Sequence, residues 1–257
     1  MFILTEFYIF WLASVLGAIL VIPYQTKILH VRMQEAAEKQ PKKKLPPLPV
    51  LALIGAVQTG VLLGAAAFIG TYLAPKTDLH WPLLDHYLNG TGISFSIWPA
   101  ILLSMLGGAA SALVILLLDR IFSKKMPPAE AETPTRKQAF LASFYGGISE
   151  EVLMRLFLMT LVVYLLSFLS DGGWIYWTGI ILAAFVFGAG HLPASYQIYG
   201  KSAIVTVRTI LLNMVPGIFF GYLYWKYGIE MAMLAHFCAD IVLHVILAPL
   251  AANTKKQ

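Results

Sequence analysis

The chain has 257 residues, 59% of them hydrophobic and only 12% charged, with a mean hydropathy of +0.75; soluble domains carry roughly twice that charge, so a soluble globular domain is excluded and a membrane protein is indicated. A net charge of +5 would suit nucleic acid, but Lys and Arg cluster in short inter-helix loops, as membrane orientation demands, and no nucleic-acid partner is expected. The single cysteine, Cys238, excludes a disulfide framework and a Cys-rich metal site.

A hydrocarbon core about 30 Å thick needs roughly 20 apolar residues per helical span. The first run, residues 2–24, follows no Lys or Arg and ends without a small-residue cleavage site, so it reads as a retained helix and not a signal peptide. A charged segment follows, with Lys27, Arg32, Lys39, Lys42, Lys43 and Lys44, closed by Pro46 and Pro47. The second and third runs cover 48–73 and 97–118, and a second basic loop carries Arg120, Lys124, Lys125, Arg136 and Lys137. The fourth run, 138–169, is too long for one crossing; Gly146-Gly147 is the expected break, because glycine weakens a helix interior. An interfacial helix over 136–146 would then precede a span starting near Ile148. The remaining runs are 173–190, 202–225 and 229–250. The expected fold is all-α, a polytopic bundle of seven to eight transmembrane helices in a single domain over 1–257. The basic loops belong in the cytoplasm by the positive-inside rule, with the amino terminus outside and the Lys255-Lys256 tail inside.

An ionisable side chain in a span costs about 2.5–3.5 kcal/mol at its centre on insertion scales, so those retained mark candidate sites. In "GGISEEVLMR" (146–155), Glu151 and Arg155 stand four apart with the acid first, the favourable order for a same-face ion pair. Glu150 lies about 100° round the helix and is less well placed to share that arginine. A carboxylate left free in a mostly apolar cavity is suited to take a proton from water. "FVFGAGHLP" (185–193) places His191 at the end of the fifth span with Phe187 one turn back. "AHFCADIVLH" (235–244) places His236, Asp240 and His244 on one stripe of the seventh. The plain alternatives are a structural brace for Glu151 and Arg155 and an interhelical hydrogen bonder for His244. Arg208, Asn213, Gln58 and Glu6 are assigned no chemistry. His236 lies about seven residues into its span from the outer side and Glu150 near the inner side, which predicts a depth difference of about 10 Å between them.

The motifs "EEVLMR" (150–155), "FGAGH" (187–191) and "HFCAD" (236–240), in this order on separate spans, resemble the signature of the CPBP family of intramembrane proteases, which includes the CAAX endopeptidases and the bacterial Abi proteins. The resemblance covers roughly 136–245 and leaves the first hundred residues without a motif. It implies that Glu150 activates water with help from His191, that His236 and Asp240 stabilise the oxyanion, and that Glu151 and Arg155 brace the site. The prenyl-processing branch has Asn where this chain has Asp240, and an ionised Asp would repel an oxyanion. It would act on a prenylated or otherwise lipidated or hydrophobic peptide at the membrane. No cofactor is expected; the alternative is zinc held by Glu150, His191 and His236, although H-E-x-x-H is absent. The rival from another class is a transporter or immunity protein without enzymatic activity. A transporter would show paired repeats, whereas the polar groups here lie in the second half only.

Overall fold

A computed structural model describes residues 2–39, 46–127 and 134–248; Lys42, Lys43, Lys44, Lys255, Lys256 and the last two residues of the seventh expected span lie outside them. The described residues are helical without strands. The long helices are α1 (Phe2–Lys39), α2 (Leu48–Leu73) and α4 (Ile97–Ser123), with the short α3 (Pro82–Asn89) between the last two. α5 (Arg136–Phe144) and α6 (Thr160–Ser167) follow, joined through π-helical segments Tyr145–Glu150 and Val152–Met159. Then come α7 (Trp174–Gly190), α8 (Leu192–Tyr199), α9 (Ala203–Tyr227) and α10 (Ile229–Asp240), the last prolonged by a π-helical segment, Ile241–Leu247. Among the described residues, six helices are long and apolar enough to cross a membrane. The fourth expected span is the run from 136 to 167, a rod of about 48 Å at 1.5 Å per residue.

Two expectations change here. The charged segment after residue 24 stays helical as far as Lys39, because Gln25 to Lys39 is rich in strong helix formers and holds no Gly or Pro. The rod does not break at Gly146-Gly147. Both glycines face α10 closely: a Cβ at Gly146 would collide with Asp240 Oδ2, and one at Gly147 would press on Phe237 Cβ at 3.0 Å. They permit close approach of two helices, and the helix widens into π geometry instead of ending. Such widening recurs at functional sites.

The core forms around the rod. Val152, Leu156, Met159 and Val163 repeat every three or four residues and are fully buried. The rod packs on α1 and α2 on one side and on α7, α9 and α10 on the other. Ser149 Oγ donates to Ser14 O at 2.7 Å and fixes the rod against α1. Outward positions such as Leu12, Leu16, Leu53, Val57, Leu106 and Leu117 are exposed and aliphatic, as a lipid-facing shell requires. The short α3 ends on Gly90 in the left-handed region (φ 66°), and Glu230 Oε1 accepts from Leu84 N at 2.9 Å, tying it to the start of α10. The opposite end, where α4 stops and α5 and α9 start, carries Arg120, Lys124, Lys125, Arg136 and Lys137; it is called the basic end below.

Candidate active site

The two glutamates of the rod point into different surroundings. Glu151 is wholly buried: its Oε1 accepts from Arg155 Nη1 at 2.8 Å and from His236 Nδ1 at 2.7 Å. Arg155, equally buried, also donates through Nη2 to Gly217 O at 2.9 Å, and its Cζ lies 5.2 Å and 5.5 Å from the Phe187 and Phe220 ring centres. A buried charge needs this density of partners, because removing one of them leaves the other unpaired in a low dielectric. The i to i+4 pairing of Glu151 with Arg155 is thus as expected.

Glu150 has a 20% exposed side chain and faces the other way. Its Oε1 lies 3.9 Å from His191 Nε2 and its Oε2 3.8 Å from His236 Nε2. These separations exceed a direct hydrogen bond, so neither imidazole ties up the carboxylate. Each imidazole is oriented from behind. His191 Nδ1 donates to Phe187 O at 2.8 Å, and His236 Nδ1 donates to the Glu151 carboxylate, so both rings present Nε2 to Glu150. Phe220 stacks on His236 at 4.7 Å and 21°, and Phe187 meets both imidazoles edge-on at 5.7 Å and 4.7 Å. Asp240 Oδ1 sits 3.9 Å from His236 Nε2 and 4.0 Å from His244 Nε2.

Glu150, His191, His236, Asp240 and His244 share one cavity of about 820 Å³, which runs to Asp119 and Arg208 at the basic end. The depth difference expected between Glu150 and His236 is not found. Because the rod continues through Gly146, Glu150 follows fourteen helical residues (136 to 149) and lies deep in the bundle, level with His236. His244 is a second departure: its side chain is 55% exposed and lines the cavity beside Asp240, with no interhelical hydrogen bond among the described residues. Among the described residues no group of three or more His, Cys, Asp or Glu side chains is arranged to hold a metal ion.

Residues 134–242 match the family model described as type II CAAX prenyl endopeptidase Rce1-like. That segment, less than half of the chain, is similar to the type II CAAX prenyl endopeptidases. The match contains all three motifs and ends just beyond Asp240, so it spans the rod, α7, α9 and α10, the elements that build the cavity floor. No curated protein and no solved structure matches the chain. With its six apolar crossing helices, the chain is an integral, multi-pass membrane protein.

Sequence reasoning missed several participants. Nothing in the spacing links Glu151 to His236, eighty-five positions away (236 − 151), and neither Gly217 O nor Phe220 carries a sequence signal. Asp119 and Arg208 are joined at 2.6 Å although 89 residues apart, and both line the cavity.

Proposed function

We propose that this chain is an intramembrane endopeptidase in which Glu150 activates a water for attack on a peptide carbonyl. The observation that carries this is the position of the Glu150 carboxylate, 3.8–3.9 Å from two imidazole Nε2 atoms at the head of one open cavity. A water between them would give its proton to Glu150 while its oxygen bonds to the carbonyl carbon. His191 Nε2 accepts a hydrogen bond from that water and steers it. His236, in its imidazolium form, donates Nε2–H to the developing oxyanion, and Glu151 behind Nδ1 stabilises that charge. When the tetrahedral adduct collapses, the C–N bond breaks and the proton held on Glu150 passes to the leaving amine. Asp240, protonated, would be the second donor; ionised, it would serve only to orient His236.

The substrate is a prenylated or otherwise lipidated peptide, as the family description suggests, entering from the cytoplasm if the basic end faces that side. Basic loops at that end favour anionic headgroups. Metal-free chemistry is the reading favoured here; Glu150, His191 and His236 would be the ligands in the zinc alternative, and no step above depends on it. The test is cleavage of a prenylated peptide by the purified protein, with Glu150→Ala and chelator arms. Glu150-dependent cleavage that survives chelation supports the proposal. Equal cleavage by both proteins removes Glu150 from the mechanism, and stoichiometric zinc whose removal abolishes turnover overturns the metal-free form.

A further inference from the structure

One polar side chain on the lipid-facing shell has no part in the chemistry above. Gln58 on α2 is exposed and makes no hydrogen bond among the described residues. It lies ten residues from the basic end of its helix (58 − 48), about 15 Å of rise, and eighteen from the far limit of the crossing stretch at Lys76 (76 − 58), about 27 Å. Its amide therefore sits inside a hydrocarbon core about 30 Å thick, where water cannot satisfy it and a bare donor or acceptor is costly. α2 is also the least covered of the six crossing helices: 17% of its most apolar stretch is buried inside the molecule, against 22–44% for the other five.

The face around Gln58 has the pattern of a helix seam. Leu51, Gly55, Gln58, Leu62 and Ala65 follow one another at steps of four, three, four and three residues, the spacing by which two helices pack with a slight left-handed twist. Leu62 is 55% exposed, and a Cβ at Gly55 would meet nothing within 4 Å. A small residue on such a face lets a second backbone come close. Leu51 and Gly55 also border an open groove of about 260 Å³ between α1 and α2, with Ile19 and Ile22 on its far wall, which gives room to the side chains of an incoming helix. Tyr145 lines both that groove and the cavity that holds Glu150, so this face borders the proposed site.

Whatever covers this face has to answer an amide, and an acyl chain cannot. A glutamine carries two N–H donors and a carbonyl acceptor and is its own complement, so two copies related by a two-fold axis can donate to each other reciprocally. A single polar residue on an otherwise apolar seam is also the device that fixes register and the number of chains. We infer that α2 is the contact face of a homodimer in the membrane, in which Gln58 pairs with Gln58 of a second copy while the seams on either side of it interlock. This inference does not depend on the proteolytic reading.

The experiment places the full-length protein, carrying donor or acceptor fluorophores on a carboxy-terminal tag, in phosphatidylcholine vesicles over a range of protein-to-lipid ratios, and reads the dimer fraction from energy transfer. The unmodified protein is expected to saturate at two copies. Gln58→Leu is expected to weaken association about three- to thirtyfold, the worth of side-chain hydrogen bonds between helices in a bilayer, and Gln58→Asn to keep part of it. Gly55→Leu is expected to abolish association at an unchanged melting temperature, because the space outside that position is open in the single copy. Leu106→Ala, on the lipid-facing side of α4, is expected to leave association as it is. A protein that stays monomeric at every ratio overturns the inference; if it also retains phospholipid that Gly55→Leu releases, the groove holds a lipid chain instead. A dimer indifferent to both Gln58→Leu and Gly55→Leu has its interface elsewhere and overturns it equally.

Discussion

The two faces of the rod put neighbouring carboxylates into different media. Glu151, on the dry face, is locked between Arg155 and His236 with no exposure, whereas Glu150, on the wet face, looks into the cavity at separations that leave room for solvent. The lesson is that adjacency in sequence says little about role. One acid is held by neutralising contacts that cannot be moved without cost, and the other is spared them, as the proton acceptor of the proposed reaction must be. The dry face also serves the wet one, because the carboxylate that balances Arg155 sets the direction of the His236 ring.

This contrast can be broken in stages. The largest effect is expected from Glu150→Gln, which keeps shape but cannot take a proton: turnover should fall by about 10²–10⁴, with the thermal unfolding midpoint unchanged. On the dry face, Arg155→Met should act mainly on stability, costing about 3–5 kcal/mol by leaving Glu151 uncompensated, read as a lowered melting temperature in detergent. Gly146→Ala drives a methyl against Asp240 Oδ2 and toward His236 Nε2, 3.2 Å from the added carbon. The cost should be about 1–3 kcal/mol, seen in a slower reaction at near-normal protein yield. The smallest effect is expected at His244→Ala, where the exposed ring touches the cluster only through Asp240 at 4.0 Å: stability within about 0.5 kcal/mol of the unmodified protein.

Hydropathy and helical spacing made much of this legible. Long apolar runs mark the spans, and the four-residue steps in Glu151–Arg155 and His236–Asp240–His244 show which side chains share a face, since these are local properties of one helix. The Gly146-Gly147 pair was misleading for a physical reason. A glycine that loosens a helix and a glycine that admits a neighbour look alike in sequence, and only α10 lying against it tells them apart. That one difference moved Glu150 from the edge of a span to the depth of His236. The couplings of Glu151 to His236 and of Asp119 to Arg208 were illegible because each joins helices far apart in the chain.

The central claim is that Glu150 and His191 work through one shared water as a single unit. A double-mutant cycle on kcat/KM, with Glu150→Gln, His191→Ala and the pair of them, tests it most directly. The account predicts that the double variant is scarcely slower than Glu150→Gln alone. Losses that multiply, so that each substitution takes its full toll in the presence of the other, would show that the two residues act independently and would contradict it.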